Sequence, residues 1–316
     1  MNLDFMNSQS YYVNSFKEGK ISTNEVFDKI FLSGKRRKLQ NNAVDEVILS
    51  NSIAELNSLI GLNNVKTLVD ELLAYSDIQR KRRENGLNTE PMALHMVFKG
   101  NPGTGKTTIA RLLGRIFKGK GLLETGHLVE IERADLVGEY IGHTAQKARD
   151  QIKKALGGIL FIDEAYSLAR GGEKDFGKEA IDALVKGMED HKDNLILILA
   201  GYKDEMDSFI KTNPGLKSRF PIHMIFDDYS LEDLLEIAEL MLEKRQYKIS
   251  LSGRAKLSQI LASKRARDGI HSGNARLVRN LIESSIRKQA VRLKTNKGDH
   301  TIEDLMMLTR EDFIEY

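Results

Sequence analysis

A short loop of glycines and small polar residues has the composition of a phosphate-binding site. It runs GNPGTGKT and matches the pattern G-x-x-x-x-G-K-[ST], between the apolar run ALHMVF and the helical pattern TTIARLLGRIF. Glycines let successive backbone N–H groups turn toward phosphate oxygens, and the following helix presents its positive dipole end to the same anion. We expect Lys106 to contact the β and γ phosphates of a nucleoside triphosphate and Thr107 to bind Mg²⁺. The residues predicted to contact the nucleotide from this segment are Gly100, Asn101, Pro102, Gly103, Thr104, Gly105, Lys106, Thr107 and Thr108.

Two adjacent carboxylates follow a second apolar run, ILFI, and supply the acid groups of the predicted site. Burying two acids at the end of an apolar strand is unfavourable unless a cation meets them. We interpret Asp163 as part of the Mg²⁺ shell and Glu164 as the residue that orients and polarises the water attacking the γ phosphate. Taken alone, the pair is equally consistent with a cap for the following helix. The phosphate loop in the same chain favours the catalytic interpretation.

The elements that must position these groups are short strands alternating with helices. The runs ALHMVF, HLVEI, GILFI, LILILA and PIHMIF are apolar on both faces and are separated by longer amphipathic stretches. This texture is typical of parallel strands covered by helices on both sides. It predicts an α/β fold of the P-loop NTPase class, with a five-stranded parallel sheet in a three-layer α-β-α core. HLVEI stands between the two motif strands in the sequence, as in NTPases that use a catalytic glutamate.

The flanking segments lack this strand texture. Residues 1–55 have helix-like apolar spacing and are predicted to form an N-terminal helical extension. Residues 56–228 form the predicted α/β domain. Residues 229–316 read as a small helical domain, which opens with Ser230 as the N-cap of an amphipathic helix and with acids in its first turn.

The composition limits the chemistry that the chain can carry. Its 316 residues are 41% hydrophobic and 29% charged and include no cysteine, which excludes disulfides, thiolate nucleophiles and cysteine-bound metals. A net charge of +3 is too balanced for bulk attraction to nucleic acid or anionic membranes. The apolar runs are shorter than the roughly 18 residues of a spanning helix, and the N-terminus lacks a signal-peptide pattern. We therefore expect a cytoplasmic protein without a membrane partner.

The order of the motifs resembles the AAA+ ATPases. Residues 56–293 carry, in sequence, the segment LIGLNNVK, the phosphate loop, the acid pair, a fourth strand, an SRF element and GNAR before a late helix. The stretches ERADLVGEYIGHTAQKARD and ILAGYKDEMD are most similar to the CbbX/CfxQ branch, which includes red-type Rubisco activases and, closer to this chain, sporulation proteins. The resemblance implies Mg²⁺-dependent hydrolysis of ATP by a hexameric ring, with nucleotide between subunits and a C-terminal helical lid.

The resemblance also implies roles for residues outside the two motifs. Ile60 and Gly61 would line the adenine pocket, Arg219 would be an arginine finger reaching a neighbour's γ phosphate, and Arg276 in GNAR would be the sensor on the lid. A fixed, always-charged guanidinium suits the neutralisation of a transferring phosphoryl group. The fourth strand departs from the family's commoner pattern, because LILILAGY has Gly and Tyr where an asparagine often orients water. The first sensor is therefore left unassigned.

A glycine-flanked aromatic segment indicates what the hydrolysis is used for. Tyr140, Ile141 and Gly142 stand where protein-threading AAA+ rings project a loop into the central pore. An aromatic side chain there can grip a peptide without reading its sequence. The alternative is that Tyr140 packs on the next helix. A second loop, 169–179, is interpreted either as a lower pore loop or as a solvated charged loop. We thus predict a motor that remodels an unidentified protein substrate.

Two alternatives stay open. A nucleic-acid loader is suggested by the basic runs 35–38 and 80–83, although such runs are commonly solvated helix faces and neither alternates with aromatic residues. A Rubisco-activase-like remodeller belongs to the same branch, but no residue argues for that substrate from its chemistry. A non-enzymatic nucleotide switch is disfavoured, because both Glu164 and Arg219 are present.

Overall fold

The protein is described by a computed structural model. It covers residues 44–90, 93–140, 142–170, 176–268, 273–295 and 299–314. The predicted pore residue Ile141, the basic run 35–38, most of the N-terminal extension and the middle of the 169–179 loop lie outside the described residues. The interpretations placed on them stay predictions.

The first part of the described chain alternates strands and helices. Its helices are α1 (44–58), α2 (Asn63–Glu84), α3 (Lys106–Gly119), α4 (Arg133–Leu136), α5 (His143–Ala155), α6 (Gly177–Asp190), α7 (Lys203–Thr212) and α8 (Pro214–Arg219). Its strands are β1 (Met96–Gly100), β2 (Leu128–Ile131), β3 (Ile159–Ile162), β4 (Ile196–Gly201) and β5 (Ile222–Phe226), and a short 3₁₀ helix covers Ala165–Ala169. All five predicted strands are present.

The five strands form one parallel sheet in the order β2-β3-β4-β1-β5. β1 lies near the centre, where Met96 pairs with Ile198 of β4 on one side and with Ile222 of β5 on the other. The phosphate loop follows β1 and the acid pair follows β3, with β4 between them. Because parallel strands end at the same edge of a sheet, the topology brings the two motifs to one edge, around the end of β4.

Helices cover both faces of the sheet. Met96 and Phe98 of β1 face a core shared with α1, α2 and α3, where Phe98 lies 4.9 Å from Phe226 between ring centroids. Val97, between them, faces the opposite core, which is built with α5, α6 and α7. Successive side chains of a strand point to opposite faces, so a strand buried on both sides is apolar throughout. The three-layer α-β-α fold is confirmed. Helix α1 belongs to this packing, and the boundary predicted at residues 55 and 56 falls inside it.

The C-terminal part is a helical unit around its own core. It contains α9 (Leu231–Glu243), α10 (Leu251–Asp268), α11 (Asn274–Thr295) and α12 (Ile302–Met306). The predicted N-cap is present, since the Ser230 hydroxyl accepts the Asp233 N–H at 3.0 Å. Two features of this part were not predicted: the short helix α12, and the parallel ladder formed by strands β6 (Lys248–Ile249) and β7 (Met307–Leu308). Strands of two residues carry no readable alternation.

Among the described helices, none is long and apolar enough to cross a lipid bilayer.

Candidate nucleotide-binding site

The predicted motifs meet in a cavity of about 610 Å³ between the sheet edge and the helical unit. It receives side chains from the loop after β1, the end of β3, the end of β4, and helices α9 and α11. The predicted site residues that line it are Ile60, Gly100, Pro102, Gly103, Gly105, Lys106, Thr107, Thr108, Asp163, Glu164 and Arg276. The structure therefore brings together most of the nucleotide-binding residues that were predicted from four separate segments of the sequence.

The phosphate loop owes its shape to glycines. Gly103 and Gly105 have φ angles of +75° and +100°, which side-chain-bearing residues rarely adopt. A Cβ on Gly103 would also collide with the carbonyl oxygen of Gly273. Thr104 is fully buried and its hydroxyl donates to the Asn101 carbonyl at 2.8 Å, so only its backbone can face a phosphate.

Lys106 begins helix α3 with its amine directed at the loop itself. The amine donates to the carbonyl oxygens of Gly100 and Asn101, both at 2.8 Å. Burial lowers the pKa of Lys106, and the nearby charge of Arg276 acts in the same direction, while Asp163, Asp228 and Glu164 oppose them. The acid pair, Asp228 after β5 and Arg276 of the lid thus all lie close enough to act on one amine.

The acid pair sits at a strained turn. Glu164 has φ 47° and ψ 42°, the left-handed region, and its backbone N–H donates to Asp163 Oδ1 at 3.0 Å. A non-glycine residue in this conformation costs of order 1–3 kcal/mol, and such strain clusters at functional sites. The turn leaves Asp163 half-buried and the Glu164 side chain exposed toward the cavity. The two adjacent carboxylates therefore differ in their exposure to solvent.

The residues present fit ATP and Mg²⁺. Six cationic side chains line the cavity against three acidic ones, which suits a polyphosphate. The hydroxyl of Thr107 and the carboxylate of Asp163 are the hard oxygen donors that Mg²⁺ prefers. The Thr107 hydroxyl also lies 3.4 Å from Glu130 Oε1 on β2. When bound, the ion neutralises charge on the β and γ phosphate oxygens.

An apolar side of the cavity suits the base. Its lining residues are Ile60, Leu62, Tyr229, Ile237, Leu240 and Met241. Gly61 has φ +63°, and a Cβ added there would lie 3.3 Å from the ring of Tyr229. The Tyr229 hydroxyl donates to the Thr104 carbonyl at 3.3 Å, and burial raises the pKa of Tyr229 to about 12. Gly61 thus shapes this wall through Tyr229, which the sequence analysis had not singled out.

The predicted arginines take different places. Arg276 lines the cavity together with Arg279, one turn later on α11. Arg219 does not line it; on α8 it donates through Nε to Glu189 Oε1 at 2.9 Å and through Nη1 to the Gly215 carbonyl at 2.9 Å. Arg219 therefore lies outside the cavity of its own chain.

Tyr140 lies away from the cavity and is 66% exposed. Its ring makes an edge contact with His143 at 5.5 Å between centroids, at the start of α5. Gly142 has φ 84° and precedes that helix as its N-cap. Tyr140 therefore touches the next helix through His143, and most of its side chain is still exposed to solvent.

Other residues at the site were missed. Asp228 accepts two hydrogen bonds from the Asn101 amide, and Asn274 donates to the same carboxylate at 2.7 Å. Tyr202, at the position where the first sensor was left unassigned, also lines the cavity beside the end of β4. The only sequence signal was position: Asp228 ends the predicted α/β domain, and Asn274 is the second residue of GNAR. Neither residue type is diagnostic without the fold.

Comparison with known proteins identifies the family of the chain. The profile of the ATPase family associated with various cellular activities (AAA) matches residues 96–228, and the AAA lid domain profile matches residues 230–315. The chain is 55% identical to stage V sporulation protein K of Bacillus subtilis over 87% of this chain and 85% of that protein. It is 44% identical to the plasmid protein CbxX of Cupriavidus necator, over 84% of each chain.

One more relative and one solved structure are also similar to the chain. The chain is 43% identical to the chloroplastic ribulose bisphosphate carboxylase/oxygenase activase of Cyanidioschyzon merolae, over 81% of this chain and 88% of that protein. Among solved structures, a RuvB mutant of Thermotoga maritima aligns with a TM-score of 0.49 and 20% identity, covering 79% of this chain and 70% of that one. By its profile matches and its close relatives, this chain belongs to the AAA ATPase family, in the branch of the CbxX/CfxQ proteins and stage V sporulation protein K, and it is an ATPase that uses Mg²⁺.

Proposed function

We propose that the chain assembles into a hexameric ring that hydrolyses ATP to pull on or restructure a protein substrate, in the manner of a sporulation stage V protein K. The observation that carries this proposal is the position of Arg219. The cavity contains a lysine, an acid pair and lid arginines, yet Arg219 is on another helix and bonded to Glu189. If Arg219 acts on a nucleotide, it does so in an adjacent subunit, which makes a closed ring the simplest assembly.

Within each site, the proposed division of labour follows from the chemistry of the side chains. Lys106 binds the β and γ phosphates as a positive point charge. Thr107 and Asp163 would hold Mg²⁺ through their hard oxygen donors. Glu164 accepts a hydrogen bond from the attacking water, and Arg219 of the neighbouring subunit stabilises the charge on the transferring group. Arg276 connects the terminal phosphate to the lid.

We further propose that residues 1–55, 56–228 and 229–316 act as extension, motor core and lid, with the C-terminal end of the extension packed on the motor core as part of α1, and that the protein works in the cytoplasm. The largely exposed ring of Tyr140 supports a grip on the substrate, with Ile141 and Gly142 completing the loop. The name of the Cyanidioschyzon merolae relative identifies that protein as an activase of ribulose bisphosphate carboxylase/oxygenase. For this chain a folded enzyme complex is thus the second candidate substrate.

A trapping experiment tests the proposal. The Glu164→Gln protein, loaded with ATP, is expected to form a six-subunit particle by native mass spectrometry and to retain a protein client through washing. The matched control is Glu164→Gln combined with Tyr140→Ala, which keeps the nucleotide site and removes the aromatic grip. A ring that holds no more protein than this control contradicts remodelling. DNA or RNA in the trap, with no protein, favours the loader alternative.

A further inference from the structure

One hydrogen-bond network joins the phosphate loop, the link between the two parts of the chain, and the lid. The Asp228 carboxylate accepts the Asn101 amide at 3.0 and 2.9 Å and the Asn274 amide at 2.7 Å. The Asn274 amide also lies 3.4 Å from the Pro102 carbonyl oxygen. Its oxygen accepts the backbone N–H of Tyr229 at 3.0 Å. A single side chain therefore contacts all three segments.

Asn274 is in an unusual setting for a polar side chain. It is 1% exposed and has φ 46°, in the left-handed region that asparagine tolerates better than most residues. A buried amide is costly unless its donors and acceptor are paired, and here the oxygen and the nitrogen both have partners. Its position is therefore closely determined by hydrogen bonding, in addition to packing.

The neighbours of Asn274 extend the contact with the phosphate loop. The backbone N–H of Ala275 donates to the Gly103 carbonyl at 3.2 Å. Gly103 has no room for a Cβ, because the carbonyl of Gly273 and the backbone of Arg276 lie against it. Arg276 is two residues after Asn274 in the same first turn of α11. Any shift of Asn274 relative to Asp228 therefore moves the backbone of Arg276 relative to the phosphate loop.

We propose that Asn274 is a positioning residue that joins the lid to the phosphate loop through Asp228 and thereby places Arg276 over the nucleotide. This rests on the proposed contact of Arg276 with the terminal phosphate. The Asn101–Asp228–Asn274 network makes lid orientation and loop conformation depend on each other. The network then strengthens the binding of ATP more than the binding of ADP, because only ATP has the γ phosphate that Arg276 contacts.

A reciprocal exchange of side chains tests the inference. Asn274→Asp keeps the shape of the side chain but places a carboxylate against Asp228, and Asp228→Asn removes the shared acceptor charge. Each single change is expected to raise KM for ATP about tenfold to a hundredfold, as the loss of a buried charge-assisted hydrogen bond would. The Kd for ADP should change by less than about threefold. The double variant restores a carboxylate facing a carboxamide and keeps an acceptor for the Tyr229 N–H, but it loses one of the two Asn101 hydrogen bonds and the donor that faces the Pro102 carbonyl. It should therefore recover most of the loss, with KM within about tenfold of the original value.

A distance measurement separates placement from general destabilisation. The cysteine-free chain accepts spin labels at Arg149→Cys on α5 and Gln259→Cys on α10, both exposed positions on opposite sides of the link. Asn274→Asp is expected to broaden the distance distribution between the labels, and the double variant to narrow it again, with melting temperatures recorded for every variant. An unchanged KM and distribution in Asn274→Asp overturns the proposal. A folded double variant that fails to recover also overturns it.

Arg276→Ala distinguishes this inference from the proposed function. If Arg276→Ala raises KM for ATP and Asn274→Asp does not, the Arg276 contact stands and the positioning role fails. If Arg276→Ala keeps the original KM while Asn274→Asp broadens the label distances, the proposed role of Arg276 is wrong, and with it the placement of Arg276 by Asn274.

Discussion

Replacement of Arg219 by alanine separates a ring with shared sites from a set of independent ones. In the isolated chain the guanidinium is paired with Glu189, with side-chain exposures of 33% and 57%. An exposed ion pair of this kind contributes about 0.2–1 kcal/mol, so releasing Arg219 toward a neighbour slows the reaction by no more than about fivefold. Arginine fingers accelerate phosphoryl transfer by about a thousandfold or more. The acceleration expected from Arg219 at a neighbour's site therefore far exceeds the slowing caused by breaking its ion pair with Glu189.

We expect Arg219→Ala to lower kcat by about a thousandfold, and Glu189→Gln to change kcat by less than about fivefold. Lys217→Ala, an exposed cation on the same helix, is the matched control and should retain activity. The assay is steady-state release of phosphate with saturating ATP and Mg²⁺, together with the Kd for ADP, which should not change in any of the three variants.

Subunit mixing then tests whether the arginine acts across an interface. Arg219→Ala and Lys106→Ala are each expected to be inactive, but mixed rings contain sites with an intact Lys106 and a neighbour's intact Arg219. Mixing should therefore restore measurable turnover. The reasoning is refuted if Arg219→Ala alone hydrolyses ATP normally, or if subunits that demonstrably exchange recover nothing.

Four further predictions follow from the site and its surroundings. Lys106→Ala should abolish ATP binding by calorimetry, and normal affinity would remove the lysine from the site. Glu164→Gln should bind ATP normally yet turn over at least tens of times more slowly; retained turnover would mean that another group orients the water. Tyr140→Ala should keep ATPase activity and lose remodelling of the trapped client, which fails if both activities persist. Burial lowers the pKa of His95 to about 4, so the unfolded chain binds the proton first as pH falls below about 6.5, and at pH 5 about 2 kcal/mol of stability should be lost. Urea unfolding at pH 7.5 and 5 should show that His95→Gln reduces this loss and that His300→Gln, at an exposed position, does not.

The local motifs were readable from the chain because their chemistry depends on neighbouring residues. Gly103 and Gly105 lie in one loop, whose shape comes from φ angles that glycine alone adopts readily, and Lys106 and Thr107 begin the helix that follows it. Strands β1, β3 and β4 were readable for a similar reason, since burial on both faces makes a strand apolar throughout. The edge strands β2 and β5 are exposed in part, and Glu130 and His223 lie at their exposed positions. The two-residue strands β6 and β7 were not, because so short a ladder leaves no periodic pattern.

The fold class follows from the alternation of apolar runs and amphipathic stretches, and the phosphate loop and the acid pair follow from contiguous residues with restricted chemistry. The distant groups that join them at the site became known from the folded chain alone. Asn101, Asp228 and Asn274 are ordinary polar residues far apart in the chain, and they become a network only where the sheet edge meets the lid. The same holds for Arg219, whose place outside its own cavity is set by the packing of α8. Hydrogen bonds and ion pairs between distant segments depend on a few tenths of an ångström in three dimensions, which residue type and spacing do not encode.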